Sequence, residues 1–247
     1  MTLTHAVSVL ILLLTSLHAP NAYAQTASTG SGQAYPTKSV RVIVASGAGA
    51  GAGGLIGHQL AIKSPADGYT LMLGGGSMAG ARFVNANVNY DVTRDLTPVS
   101  LIETSPFVLL VHPSLPVRNV KAFIALARSR PGTITTANLG VGQMPYWCNA
   151  LLRTMARIET VDVPYKTGPA AIIDLMAGQV DAYFAPSVNA MPSRNKLRVL
   201  AMPDVRERIL KAGSEPAPGS PEQLAKHIAH AVERFGRIAK LAGIKPQ

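Results

Sequence analysis

The sequence predicts an α/β fold, in which buried strands alternate with helices along the chain. The clearest unit spans residues 160–185: a β-branched strand, a turn, a helical pattern that ends at Gly178, and a second strand. Pro169 suits the first turn of that helix because the position needs no backbone donor, and Gly178 suits its left-handed end. In α/β folds such a turn lies at the carboxyl edge of a parallel sheet, where ligands bind, and the free amides of a helix start favour an anion.

The other elements follow from the same patterns, taken in chain order. We expect strands at 40–45, 69–73, 97–102, 107–111, 133–137, 160–164, 180–185 and 197–202, and helices at 55–62, 79–88, 120–129, 144–156, 170–177, 204–212 and 221–241. Nearly continuous Val and Ile in the first strand predicts burial on both faces. Asn119 is predicted to cap the third helix, and Ser220 with Gln223 forms a capping box for the last one. The short spacing between the third and fourth strands indicates a crossover between two lobes.

Composition excludes several classes of function. The hydrophobic content of 47% is ample for a core, and the net charge of +10 is spread along the chain, without the basic stripe and aromatics of a nucleic-acid-binding protein. Cys148 is the only cysteine, so an intrachain disulfide and a cysteine-built metal site are excluded, and we interpret it as a buried apolar residue. His227 and His230 share a helix face, but no carboxylate lies at ligand spacing there, so we expect no metal.

The first residues are typical of a secretory signal peptide, although Lys and Arg are missing from its start. An apolar run over 7–17 is too short to span a bilayer, which disfavours an uncleaved anchor, and Ala22-Tyr23-Ala24 is a small-x-small cleavage site. We expect cleavage after Ala24, a flexible leader over 25–34, and export of the mature chain.

A glycine-rich run follows the first strand and matches the dinucleotide-binding pattern at Gly49, Gly51 and Gly54. A nucleotide-dependent oxidoreductase is therefore an alternative. It is disfavoured because the alternating Gly and Ala satisfy the pattern by chance, and because no acidic residue ends the second strand. The sequence contains no nucleophile elbow, zinc-protease motif or evident pair of catalytic carboxylates, so we expect no enzyme.

A second glycine-rich turn, over 138–143, precedes a helix in the same way as the turn over 165–169. Each turn follows a strand and presents a fresh helix start. If the two turns converge, their backbone amides form an anion pocket.

Several motifs occur in an order that resembles the substrate-binding receptors of tripartite tricarboxylate transporters, the Bug receptors. They are Tyr35-Pro36-Thr37-Lys38, Gly51-Ala52-Gly53-Gly54-Leu55-Ile56-Gly57, Asp67-Gly68-Tyr69-Thr70-Leu71, Pro98-Val99-Ser100-Leu101, Val163-Pro164-Tyr165-Lys166, Leu175-Met176-Ala177-Gly178-Gln179-Val180-Asp181 and Ala242-Gly243-Ile244-Lys245-Pro246. The resemblance implies a two-lobed periplasmic receptor of Venus-flytrap type that binds a small carboxylate without a cofactor and delivers it to the membrane subunits of a transporter. We expect a monomer.

The resemblance also implies which residues form the lobes and the site. One lobe comprises 35–104 with 203–247, and the other comprises 105–202. Carried over by position, the ligand-binding residues are Ser77, Ser105, Gly140, Val141, Gly142, Gln143, Lys166, Thr167, Gly168 and Pro169. Gln143 and Tyr146 replace the small hydroxyl and histidine residues of the family, so ligand orientation is expected to differ. Asp181 matches a family position and is interpreted as structural.

Two gaps separate this sequence from the family pattern. The chain passes from the first strand straight to what resembles the family's second glycine-rich segment, and it lacks several dozen residues between Met202 and Pro203, including a crossover strand. Losing a strand from a buried parallel sheet removes core and leaves an unpaired edge. A decayed remnant that no longer binds is therefore the second alternative.

Overall fold

The computed structural model describes residues 35–45, 54–193, 195–200, 215–216 and 219–247. By their contacts, Met1–Thr37 and Lys38–Gln247 form separate units, and only residues 35–37 of the first are described. The predicted signal peptide and leader, Gly49 and Gly51, and the helix expected at 204–212 lie outside the described residues. All the strands and helices of the described chain belong to the second unit.

Strands and helices alternate as predicted through most of the described chain. The strands are β1 (Arg41–Val44), β2 (Thr70–Leu73), β3 (Glu103–Thr104), β4 (Phe107–Val111), β5 (Thr135–Asn138), β6 (Val161–Pro164), β7 (Ala182–Pro186), β8 (Arg198–Leu200) and β9 (Glu215–Pro216). The α-helices are α1 (Leu55–Ile62), α2 (Val120–Ser129), α3 (Met144–Ala156), α4 (Gly168–Met176), α5 (Ser187–Ala190) and α6 (Pro221–Ala242), with 3₁₀ helices at Gly76–Phe83 and Met191–Ser193.

Local capping signals fix three of the helix starts. The Asn119 side chain accepts a hydrogen bond from the Ala122 amide at 2.8 Å, and Thr167 caps α4. Ser220 and Gln223 form the predicted capping box at the start of α6. These side chains satisfy backbone donors that a helix start leaves without partners. Helices α2 and α6 begin where the sequence predicts, and α4 begins two residues earlier than expected.

The main sheet has five strands in the order β6-β5-β7-β4-β8. β5 pairs parallel with β6 and β7, whereas β4 pairs antiparallel with β7 and β8. One apolar cluster, which includes Leu110, Leu175 and Tyr183, packs α4 against one face. Another, which includes Val111 and Phe123, packs α2 against the opposite face. A third cluster joins α3, α6 and the first 3₁₀ helix around Trp147 and Phe235.

The first strand is not buried on both faces, which corrects the prediction. β1 pairs only with β2, in parallel, among the described residues, and α1 packs against the face that carries Ile43. On the other face Val42 and Val44 are 58% and 57% exposed, and their partners Leu71 and Leu73 are 36% and 40% exposed. An apolar strand is buried on both faces only where two layers cover it, and the described residues supply one.

Two further predicted elements differ in the structure. The helix expected at 79–88 is the 3₁₀ helix Gly76–Phe83, because the chain leaves helical geometry to pair with its own carboxyl end: the Gln247 amide donates to the Val84 carbonyl. The strand expected at 97–102 is irregular. Pro98 has no amide to donate to a ladder, and Leu101 instead accepts a hydrogen bond from Gly219.

Gly54 has a structural explanation that involves no nucleotide. Its φ is +89°, and a β-carbon at this position would overlap the carbonyl oxygen of Ala45. Only glycine allows this left-handed turn to lie so close to the end of β1. The one glycine of the dinucleotide-like pattern that the structure describes is therefore required by backbone packing.

Candidate functional site

Strand register brings most of the predicted binding residues to one edge of the five-stranded sheet. Asn138 lies opposite Pro164 in the parallel β5–β6 pair, and Phe107 lies opposite Pro186 in the antiparallel β4–β7 pair. The carboxyl ends of β5, β6 and β7 therefore share an edge with the amino end of β4. Three of the predicted groups extend from this edge: Ser105, Gly140 to Gln143, and Lys166 to Pro169.

The turn after β5 is held in shape by its own backbone and by a buried asparagine. The Asn138 side chain accepts a hydrogen bond from the Gly140 amide at 2.8 Å, and the Gln143 amide donates to the Gly140 carbonyl at 3.2 Å. Gly140 and Gly142 have φ values of +97° and +86°, a conformation that favours glycine. The asparagine-x-glycine pattern predicts such a turn from the sequence, although Asn138 was not among the predicted ligand-binding residues.

Helix α3 begins directly after this turn, and its first amides lack a side-chain cap. Gln143 occupies the N-cap position but makes no capping hydrogen bond with its side chain, and Pro145 lies in the first turn. The partial positive charge of the helix start therefore faces the sheet edge, and the Gln143 side chain supplies no acceptor to its amides.

Trp147 anchors the same turn to the rest of the molecule. Its indole nitrogen donates to the Gly142 carbonyl at 3.1 Å, and the ring is 1% exposed. It packs on Phe235 of α6 with ring centroids 4.9 Å apart. The position of the turn is thus coupled to the C-terminal helix, a tertiary contact that sequence spacing does not reveal.

The turn after β6 adjoins the first turn. The Tyr165 amide donates to the Asn138 carbonyl at 2.8 Å, which extends the pairing of β5 and β6 beyond the strands. The Thr167 hydroxyl accepts from the Ala170 amide at 3.3 Å and so occupies one donor at the start of α4. Gly168 lies close to the Tyr183 hydroxyl, 3.3 Å from where a β-carbon would be. The two glycine-containing turns therefore lie side by side, which is the condition that the anion pocket requires.

Tyr165 and Lys166 differ in how they are held. The Tyr165 hydroxyl donates to Asp174 at 2.9 Å, and partial burial, followed by this carboxylate, raises the pKa of the phenol. Lys166 is exposed and forms no ion pair within the part of the chain that the structure describes. Its ammonium group is free to meet an anion at the edge.

Ser105 and Ser77 lie on other segments of the chain. The Ser105 hydroxyl lies 3.3 Å from that of Ser187, a fully buried residue that our prediction missed. Ser77 lies in the 3₁₀ helix that follows β2. A β-carbon on its neighbour Gly76 would lie 3.6 Å from the sulfur of Met144, so this segment contacts the first residue of α3.

A small pocket elsewhere in the described structure contains none of the ten predicted residues. It is lined by Met78, Ala79, Arg82, Val88, Tyr90, Asp91, Val92 and Val232. At the sheet edge, by contrast, Val141, Lys166 and Pro169 are exposed and Gly142 is buried. The two turns therefore meet at an edge where some residues are exposed and others are buried.

Comparison with known sequences assigns the chain to a family. The profile of the tripartite tricarboxylate transporter family receptor matches residues 37–202, more than half of the chain. The chain belongs to this receptor family. The resemblance read from its motifs is therefore confirmed.

Individual relatives of the receptor support the same assignment. The chain is 37% identical over 159 residues to the protein BugT of Bordetella pertussis. The matched region covers 62% of this chain and 48% of BugT. The chain spans 39% and 48% of the lengths of two curated relatives that it matches, or about half or less. The family is one of transporter receptors, and BugD, a solved protein of similar fold, is a periplasmic binding protein.

Solved structures of periplasmic binding proteins are similar to the receptor. Rpa4515 of R. palustris, solved with adipate, has a TM-score of 0.73 and 24% identity over 87% of this chain and 100% of that chain. MatC of Rhodopseudomonas palustris, solved with bound malate, has a TM-score of 0.56 and 26% identity over 75% and 70% of the two chains. The predicted α/β fold class of two-lobed periplasmic binding proteins is confirmed by these likenesses.

None of the described helices of the receptor is both long and apolar enough to cross a membrane. The described His, Cys, Asp and Glu side chains do not form a group of three that could hold a metal ion.

Proposed function

We propose that the receptor captures a small carboxylate at the carboxyl edge of the five-stranded sheet. The observation that carries this proposal is the convergence of two strand-end turns beside a helix start without a side-chain cap. Backbone amides at such a place attract a negative charge, because the aligned peptide dipoles leave about half a positive charge at the helix start.

The polar groups at the edge fit a carboxylate. Ser77, Gln143 and Lys166 have side chains that form no hydrogen bond or ion pair within the described residues, so they remain available to a ligand. Lys166 is the only charged side chain among the described turns that meet there. Likeness to proteins solved with adipate and with malate supports the same chemical class.

The proposal includes the setting of the receptor. We infer that the signal peptide is cleaved after Ala24, that the mature chain acts in the periplasm as a monomer, and that it delivers its ligand to the membrane subunits of a tripartite transporter. We further infer lobes formed by 35–104 with 203–247 and by 105–202. Recovery from the periplasm of a chain whose mass corresponds to a start at Gln25 supports cleavage after Ala24. A cytoplasmic chain that retains residues 1–24 contradicts it.

Calorimetric titration tests the binding proposal. The exported chain is titrated with adipate, malate, citrate, benzoate and amino acids, and saturable heat is expected with at least one carboxylate. Lys166→Gln should weaken that binding and reduce its dependence on salt, because screened charge attraction is lost. Lys121→Gln removes an exposed lysine on α2 and serves as the matched control. Absence of heat with every anion, from a sample that melts cooperatively, contradicts the proposal.

The second candidate is a remnant of the family that no longer binds. It is favoured by the two gaps that separate the sequence from the family pattern and by the exposed valines of β1. A ligand at one hundred times its dissociation constant stabilises a binding protein by about 2.7 kcal/mol. A cooperative melting transition that rises on adding a carboxylate therefore excludes the remnant.

A further inference from the structure

A polar cluster lies beneath the sheet edge, where α3 packs on β5 and β6. Asp162 of β6 is its centre: one carboxylate oxygen accepts from the Thr136 hydroxyl at 3.0 Å and from the Asn149 amide group at 3.1 Å. The other oxygen accepts from the Arg153 guanidinium at 2.8 Å. Three side chains from two other elements therefore donate to one carboxylate.

The cluster is largely removed from solvent. Asn149 and Thr136 are 1% and 2% exposed, and the side chains of Arg153 and Asp162 are 27% and 24% exposed. The Asn149 side-chain oxygen has no hydrogen-bond partner within the described residues. A buried acceptor without a partner costs free energy, and a buried ion pair is often no more stabilising than apolar side chains of the same volume. Net stability alone therefore does not account for this cluster.

What the cluster does fix is the relative position of the two turns. Thr136 precedes the turn after β5 by two residues, and Asp162 lies on the strand that leads into the turn after β6. Asn149 and Arg153 share a face of α3 with Tyr146, which lies in its first turn. Burial raises the pKa of the Tyr146 phenol, and the charges of Arg153 and Asp162 act on it in opposite directions.

We propose that Asp162 is a positioning residue for the anion site: through Asn149, Arg153 and Thr136 it holds the start of α3 at a fixed distance from the Lys166 turn. This inference rests on the proposed function for its effect on affinity. Its structural content is independent of any ligand, because it concerns how firmly the amides at the site are held.

Two measurements on the full exported chain test the inference. Asp162→Asn keeps the shape of the side chain but removes the charge that binds Arg153, and Arg153→Met is a second variant that keeps the aliphatic stem. The control is Arg128→Met, which removes hydrogen bonds of 2.7 and 3.1 Å from Arg128 to the Ala156 carbonyl at the other end of α3. Hydrogen exchange over 139–147 is followed without ligand, and affinity for the carboxylate is measured by calorimetry.

We expect the two cluster variants to exchange about tenfold faster over 139–147 and to bind about tenfold more weakly, the effect of losing one charge-assisted hydrogen bond. Arg128→Met should lower the melting temperature without either change. Unaltered exchange in both cluster variants, or an equal change in Arg128→Met, overturns the inference. If the unmutated chain binds no carboxylate, the proposed function fails, and the exchange measurement still decides the positioning role.

Discussion

Replacing Gly80 by alanine should displace the tryptophan that anchors the ligand turn. Gly80 lies where the first 3₁₀ helix packs against α3 and α6. A β-carbon there would lie 2.8 Å from the indole nitrogen of Trp147 and 3.1 Å from Phe235, whereas ordinary contacts begin at 3.4 Å. The indole must therefore retreat by about 0.6 Å. Its hydrogen bond to the Gly142 carbonyl, 3.1 Å long, lengthens or breaks as a result.

The cost follows from two effects of one displacement. Overpacking a core costs about 1–3 kcal/mol, and a buried carbonyl left without its donor costs about 1–3 kcal/mol. Since both arise from the same movement, we expect a loss of about 2–4 kcal/mol and a melting temperature lower by about 4–16 °C.

Thermal melting and fluorescence together check this prediction. Trp147 is the only tryptophan of the chain, so emission reports directly on its surroundings, and a shift to longer wavelength is expected. Gly76→Ala is the control, because its β-carbon would make an ordinary contact at 3.6 Å. In a double-mutant cycle, Trp147→Phe should reduce the cost of Gly80→Ala by about 1 kcal/mol or more. A Gly80→Ala chain that melts and emits like the unmutated chain would refute the packing argument.

Three other measurements follow from particular residues. His58 is 1% exposed, its Nδ1 lies 2.8 Å from the Tyr90 hydroxyl, and burial lowers its pKa from 6.5. Because the unfolded chain binds this proton more readily than the folded one, the contribution of His58 to folding stability is complete above about pH 6.5 and falls as the pH drops below it. In pH-dependent melting, His58→Gln should remove this acid-side loss, whereas the exposed His227→Gln should not. Asn119→Ala removes the cap of α2 and should lower the free energy of unfolding, measured by chemical denaturation, by about 1 kcal/mol. Asn119→Ser should recover this stability and Asn119→Val should not, because only serine can cap the helix. Cys148 is only partly buried, which corrects the expectation of full burial, and this burial raises the pKa of its thiol to about 11. At pH 8 only about one thiol in a thousand is then ionised, so a thiol reagent should react slowly until denaturant is added, and rapid reaction of the folded chain contradicts the raised pKa.

Local signals predict the fold where the deciding interaction lies within a few residues. Asn119 and Ser220 mark helix starts, and the helix expected at 144–156 has the same bounds as α3. Each of these depends on a cap, a proline or a glycine next to an apolar face, and such features are legible without knowing the rest of the chain.

Prediction fails where the deciding partner is distant in sequence. The helix expected at 79–88 is cut short by pairing with Gln247, and the first strand is exposed because cover on its second face is not supplied by the described residues. At the candidate site, the turns and their glycines could be predicted. The hydrogen bond from Trp147 to the turn and the cluster around Asp162 could not be predicted, because neither depends on a recognised sequence spacing. The ligand contacts of the ten residues remain a prediction.

The exposed face of the β1–β2 pair has a consequence for handling the purified protein. Val42, Val44, Leu71 and Leu73 place adjoining aliphatic groups in contact with water. Sulfate and phosphate salts strengthen the tendency of such groups to leave water. We therefore expect the chain to adhere to phenyl resins and to salt out early with ammonium sulfate, and threonine at positions 42 and 44 should delay both.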